Sequence, residues 1–286
     1  MTHITGATKL YALIGDPVEH SLSPLIHNTA FQHLGFNYVY LCLQVKSIAL
    51  EKAVEGIKSL GILGFNVTIP HKISIMKYLD EIDTLAKNIG AVNTVANKNG
   101  KLVGYNTDGL GALAALIEEN VNLNEKKVVV LGAGGASKAL SFCITPIAKC
   151  LVILNRTNEK TVKLASILQR RFKKKVIGRK LSLNALSEEL ADADVLINAT
   201  SVGMYPKTGE SLVDQSLLHS RMIVFDIVYN PRETRLLKEA KKAGAKTVGG
   251  LSMLVHQGAL SFKIWTGVKP PTSVIFRAVE EALESE

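Results

Sequence analysis

Apolar positions along this chain alternate between short blocks and longer amphipathic stretches. Blocks such as Leu10-Tyr11-Ala12-Leu13-Ile14 and Lys127-Val128-Val129-Val130-Leu131 have the length and composition of strands. The same reading places strands over 38–45, 64–68, 91–97, 101–106, 151–154, 176–177, 195–199, 222–228 and 246–248. Helices are predicted over 24–34, 50–60, 109–119, 251–265 and 273–283, the first capped by Ser23 and closed by Gly35. Asn99-Gly100 between two apolar runs signals a two-residue hairpin. Strands alternating with helices throughout predict an α/β fold. A second α/β series begins after about residue 108, so the change there is one of module, with no linker or repeat to mark it.

Composition narrows the class. The chain has 286 residues, 47% hydrophobic and 21% charged, as expected of a soluble enzyme-sized protein. No apolar run approaches a membrane span, and the first ten residues lack the features of a secretory signal. Cys42, Cys143 and Cys150 are odd in number and lack a metal-type spacing, so they read as reduced interior thiols of a cytoplasmic protein. The seven histidines are scattered without an HExxH pattern, and no metal site is expected. The net charge of +9 raises the question of nucleic acid, and its densest cluster is residues 170–175. That cluster reads as a solvated helix end and loop, with no stacking platform or nucleic-acid motif beside it. A basic balance equally suits small anionic ligands.

Gly132-Ala133-Gly134-Gly135-Ala136-Ser137 follows a strand and opens a helix. That is the context of a dinucleotide fingerprint: one glycine for the turn, one for backbone approach to a pyrophosphate, and a helix N-terminus for its charge. Ser137 stands where the third glycine is usual. The second strand of this module ends in Asn155-Arg156-Thr157, with no carboxylate at its tip to bond a ribose 2′-hydroxyl. Arg156 suits a 2′-phosphate instead, which favours NADP, although an ordinary surface arginine remains an alternative. Further contacts are expected at strand ends, from Asn198-Ala199-Thr200-Ser201, Ile227, Tyr229 and Gly249-Gly250.

Outside that module, three stretches hold unexpected polar groups: 15–24, 66–72, and Asn93 with 105–108. In the second, Pro70 suits the first turn of a helix over 73–79, with Lys72 at its N-terminus. A cation is disfavoured there, which would ease loss of its proton.

These stretches closely resemble the motifs of the shikimate dehydrogenase family. They stand here as 15–24, Asn66-Val67-Thr68-Ile69-Pro70-His71-Lys72, Gly90-Ala91-Val92-Asn93-Thr94 and Gly104-Tyr105-Asn106-Thr107-Asp108-Gly109. They continue as 132–137, 155–157, 198–200, 226–231 and Leu254-Val255-His256-Gln257-Gly258, all in register from residue 9 to about 260. The resemblance implies reduction of 3-dehydroshikimate to shikimate by NADPH, in aromatic amino-acid biosynthesis. It implies two domains: an α/β substrate domain of residues 1–108 plus 250–286, and a doubly wound Rossmann domain of 109–249, with the active site in the cleft. It makes Lys72 the general acid/base and Asp108 its carboxylate partner, though Asp108 also suits a helix N-cap. Ser21 and Ser23 would grip the substrate carboxylate. Thr68, Asn93 and Gln257, with Asn66 beside them, would bond the ring hydroxyls, and Tyr229 would reach in from the cofactor domain. The expected partners are the small-molecule substrate and NADP, in a monomer or a homodimer. Two alternatives stay open: a quinate/shikimate dehydrogenase using NAD, and a catalytically silent shikimate sensor, which need not keep both Lys72 and Asp108.

Overall fold

The computed structural model describes residues 4–284, and the side chains of residues 4–283. The chain forms two compact units, Met1–Thr107 with Val255–Glu286, and Asp108–Leu254.

The first unit contains β1 (Lys9–Gly15), α1 (Ser23–His33), β2 (Tyr38–Gln44), α2 (Leu50–Ser59), β3 (Gly64–Val67), β4 (Glu81–Ile82), α3 (Thr84–Ile89), β5 (Thr94–Lys98) and β6 (Lys101–Tyr105). Its six strands lie in the order β2-β1-β3-β5-β6-β4. β1 runs parallel to β2 and β3, whereas β5 is antiparallel to β3 and β6. The β5–β6 hairpin turns at Asn99 and Gly100, whose φ values of 54° and 88° are those a type I′ turn demands. Ala12, Ile14, Phe65, Val95 and Leu102, all buried, carry one core from strand to strand.

The second unit contains α4 (Asp108–Glu118), β7 (Lys127–Leu131), α5 (Gly135–Ile144), β8 (Cys150–Asn155), α6 (Asn158–Phe172), β9 (Lys175–Lys180), α7 (Leu183–Leu190), β10 (Val195–Asn198), β11 (Ile223–Asp226), α8 (Arg235–Lys242) and β12 (Lys246–Val248). Its sheet is parallel throughout, in the order β12-β11-β10-β7-β8-β9. Read from β9, that is the 3-2-1-4-5-6 order of a Rossmann sheet, with the topological switch point between β7 and β10. Residues 128–131 are buried on both faces, so the strand is continuously apolar. α9 (Gly250–Thr266) starts in this unit and becomes part of the first from Val255 on, and α10 (Thr272–Glu284) packs on α1. The C-terminal helices thus return to the first unit.

Several elements differ from expectation. No α-helix begins at Pro70. The Ile69–Pro70 peptide is cis, residues 69–73 form turns, and a five-residue 3-10 helix, Ser74–Tyr78, follows. The Lys72 carbonyl accepts from Val92 N–H at 2.8 Å, and Met76 N–H turns to Ile73 O at 3.3 Å. A tertiary bond has taken the acceptor that a helix would have given to Met76. Residues 91–93 are not strand, although Asn93 is tied through its backbone to both Tyr105 and Val67. β4 and α3 were not anticipated; α3 is capped by Asp83, which accepts from Leu85 N–H, and closed by Gly90. Ser23 caps nothing: it is the first residue of α1, and the side-chain oxygen that accepts its N–H is that of Ser21, at 3.2 Å. Cys42 is only half-buried, whereas Cys143 and Cys150 are interior. Among the described residues, no helix is long and apolar enough to cross a membrane.

Candidate functional site

In the second unit the candidate residues gather at the carboxyl ends of the strands, beside the switch point. β7 passes into Gly132, whose φ of +106° and approach to Ala199 O, 2.9 Å from where a Cβ would stand, leave room for glycine alone. Gly132 N–H is bonded to Leu154 O at 2.7 Å, fastening the turn to the next strand. Gly134 then precedes α5 and is exposed, and a Cβ on Gly134 or Gly135 would meet nothing within 4 Å. The turn therefore leaves open space over a helix N-terminus whose first N–H groups lack intrahelical partners, a cradle that fits a dinucleotide pyrophosphate. Ala133 is buried and Ala136 half-buried along the same loop. Ser137 is fully buried, and its hydroxyl donates to Gly132 O at 2.7 Å. It braces the loop from below, which accounts for serine at the third position.

At the tip of β8, Asn155 is half-buried and donates to Thr157 O at 3.2 Å, leaving Arg156 and Thr157 exposed. Glu159 is already inside α6. The tip presents a cation and no carboxylate.

The ends of β10 and β11 are joined by polar side chains. Asn198 Oδ1 accepts the N–H of Thr200 at 3.1 Å and its hydroxyl at 2.7 Å. Asn198 Nδ2 donates to Asp226 Oδ1 at 2.9 Å. Burial pushes the Asp226 carboxyl up to about 6, against the pull of hydrogen bonds from Thr234, Val228 and Asn198. Ile227 and Tyr229, both half-buried, lie in the loop after it. Gly250 opens α9 so close to the Ile227 carbonyl that a side chain there would collide with it.

In the first unit, Ser21 and Ser23 stand together at the start of α1, their hydroxyl oxygens 3.1 Å apart. Asn93, 3% exposed, is the hub of a buried polar network. Its Oδ1 accepts from Thr107 N–H at 2.8 Å and Thr94 Oγ1 at 2.9 Å. Its Nδ2 donates to Thr107 Oγ1 at 2.9 Å and to Gln257 Oε1 at 3.4 Å. Asn66 accepts from the Tyr40 hydroxyl at 2.8 Å and donates to Asn93 O, Thr94 Oγ1 and Ser261 Oγ. Its polar atoms serve the scaffold beneath Asn93. Thr68 is half-buried at the end of β3, its N–H bonded to Ile14 O. Lys72 is half-buried in the turn that follows, held by its carbonyl bond to Val92, next to Asn93. It stands at no α-helix N-terminus, so the dipole expected beside its ammonium is missing. Asp108 is the first residue of α4, 5% exposed, and belongs to the second unit.

Residues that sequence reasoning gave no role are Thr94, Thr107, Ser261 and Asp226. Asp226 had a signal: it ends an apolar strand in a carboxyl beside a strand that ends in the amide of Asn198.

Fold and site define a two-domain α/β protein with a Rossmann-type dinucleotide-binding unit. Family models match almost end to end: the shikimate dehydrogenase substrate binding domain over residues 13–95, shikimate / quinate 5-dehydrogenase over 113–252, and the shikimate 5′-dehydrogenase C-terminal domain over 250–280. The NADP(+) shikimate dehydrogenase of Methanocaldococcus jannaschii is 50% identical over 277 residues, covering 96% of this chain and 98% of that one. A shikimate dehydrogenase crystallised with NADP+ superimposes with a TM-score of 0.93 at 47% identity, over 99% of this chain and 98% of the other. Shikimate 5-dehydrogenase from Listeria monocytogenes, in complex with shikimate and NAD, gives 0.91 at 38% identity, over 98% and 99%. The chain belongs to the shikimate dehydrogenase family.

Proposed function

We propose that this protein interconverts shikimate and 3-dehydroshikimate with NADP, working toward shikimate in aromatic amino-acid biosynthesis. The observation that carries the reading is the 50% identity to an NADP(+) shikimate dehydrogenase across 96% of the chain. The open glycine turn at 132–136 and the exposed Arg156 at the β8 tip support it.

The residues divide the work by chemistry. Gly132, Ala133, Gly134, Gly135 and Ala136 offer backbone to the pyrophosphate. Asn155, Arg156 and Thr157 receive the adenosine end, with the guanidinium on the 2′-phosphate. Thr200, Ile227 and Gly250 line the cofactor site further along the strand ends. When bound, the nicotinamide supplies or removes a hydride. Reduction of a ketone leaves an oxygen that must gain a proton, and Lys72 gives it from Nζ; in oxidation Lys72 takes it back. Asp108 is the catalytic carboxylate that works with Lys72, and it accepts a substrate hydroxyl. Ser21 and Ser23 grip the substrate carboxylate with paired hydroxyls. Thr68, Asn93, Gln257 and Tyr229 bond the ring substituents, and Asn66 holds Asn93 in place.

The test is a matrix of two substrates and two cofactors. Purified protein is given shikimate or quinate with NADP or NAD, and formation of reduced nicotinamide is followed by absorbance. Turnover concentrated in the shikimate and NADP pair supports the reading. Comparable turnover of quinate, or preference for NAD, contradicts it.

A further inference from the structure

Asp226 carries none of the roles above. It ends β11 with no exposed surface. Its Oδ1 accepts from Asn198 Nδ2 at 2.9 Å and from Val228 N–H at 3.1 Å, while Oδ2 accepts from Thr234 Oγ1 at 2.7 Å. The donors come from three segments: the end of β10, the loop after β11, and the cap of α8.

Each donor passes the restraint on. Asn198 Oδ1 holds Thr200 by its N–H and its hydroxyl, and Asn198 Nδ2 also reaches Val202 O at 3.2 Å. Thr234, itself fully buried, accepts from Leu237 N–H at 3.3 Å in the first turn of α8. Between these ends, Ile227 N–H is bonded to Asn198 O at 3.1 Å and Tyr205 N–H to Asn230 O at 3.1 Å. One carboxylate thus anchors both loops that leave β10 and β11, the loops that carry Thr200, Ile227 and Tyr229.

Burying a carboxylate is costly, and strand pairing alone does not ask for one. What a carboxylate adds is acceptance of several hydrogen bonds with nothing to donate, a capacity that no neutral side chain of its size has. Three hydrogen bonds here turn that capacity to loop geometry.

We propose that Asp226 is a positioning residue for the cofactor: it sets the 199–202 and 227–234 loops in the conformation that receives NADP. This rests on the NADP-dependent reading above.

The test compares Asp226→Ala, Asp226→Asn and Asn198→Ala with the wild type. The dissociation constant of NADPH is read from nicotinamide fluorescence, the KM values for NADP and shikimate from kinetics, and Tm from thermal unfolding. Asp226→Ala should weaken NADPH binding and raise the KM for NADP about tenfold or more, with a smaller rise in the KM for shikimate, about threefold, through the displaced Tyr229. Asp226→Asn keeps the acceptor for Asn198 and Val228 and turns an amide toward the Thr234 oxygen, so it should recover to within about threefold. Asn198→Ala should reproduce the NADPH defect, and its combination with Asp226→Asn should be non-additive. Unchanged NADPH binding in Asn198→Ala would overturn the proposal, and that variant keeps the test decisive if Asp226→Ala does not fold. Equal losses for both ligands, tracking a lowered Tm, would also overturn it in favour of a merely structural role. A wild type that binds NADPH but does not oxidise shikimate defeats the assigned activity instead, while the binding comparison still decides the role of Asp226.

Discussion

The Ser137 hydroxyl donates to the carbonyl oxygen of Gly132 across 2.7 Å, five residues back along the chain. The bond joins the first turn of α5 to the residue whose positive φ makes the phosphate turn. A third glycine normally allows the helix to press against the strand. Serine achieves the same closeness because its small polar end is folded onto the backbone. Ser137→Ala should weaken NADPH binding by roughly three- to tenfold, the worth of one ordinary hydrogen bond of about 1 kcal/mol. Ser137→Val adds volume at a site with no free space and should cost about 1–3 kcal/mol of stability. Fluorescence titration with NADPH and denaturant unfolding measure the two effects.

The role proposed for Arg156 is to govern the choice between cofactors. It is exposed at the end of β8, in a turn that carries no acidic side chain. A guanidinium gains a charge-assisted, bidentate bond from a 2′-phosphate and nothing comparable from a 2′-hydroxyl. Arg156→Ala should raise the KM for NADP by about ten- to a hundredfold and leave that for NAD within about twofold. Steady-state kinetics with both cofactors reads the ratio directly.

His27 makes stability depend on pH. It is 1% exposed on α1, stacked on Tyr40 with ring centroids 4.4 Å apart. Among the described residues, its Nδ1 has no hydrogen-bond partner. Burial lowers its pKa from 6.5 to about 3, so the folded protein keeps it neutral where the unfolded chain takes up a proton. The stabilisation is complete above the unfolded value of 6.5 and is lost as pH falls toward 3. Its slope is about 1.4 kcal/mol per pH unit within that window. In His27→Phe this slope should vanish. The gap in unfolding free energy between wild type and variant should be constant at neutral pH and move in the variant's favour below about pH 6, as denaturant titrations across that range would show.

Sequence legibility followed the range of the interactions involved. The Asn99-Gly100 hairpin and the Gly132–Ser137 turn were readable because each is specified within a few residues. Lys72 was misplaced because its surroundings depend on Val92, twenty residues away, whose N–H takes the Lys72 carbonyl. Ser23 looked like a cap because a serine before Pro24 usually is one; the oxygen that serves came from Ser21. α3 went unseen despite its Asp83 cap and Gly90 terminator, because it is only six residues long. Residue roles in the first unit came from the resemblance, since no local pattern distinguishes the scaffolding amide of Asn66 from the amide of Asn93. Asp226 shows the same limit: its motif was visible, but its three donors converge only in the folded sheet.

The role proposed for Lys72 is to move the proton in an NADP-dependent oxidation of shikimate. The most direct measurement is turnover by Lys72→Ala beside the wild type, with shikimate and NADP binding measured separately on both. A positioned acid or base contributes about a hundred- to ten-thousandfold. The predicted result is a fall in kcat of that size, with both ligands bound within about fivefold of wild type. A variant that retains kcat, or that loses activity only because shikimate no longer binds, would contradict the assignment.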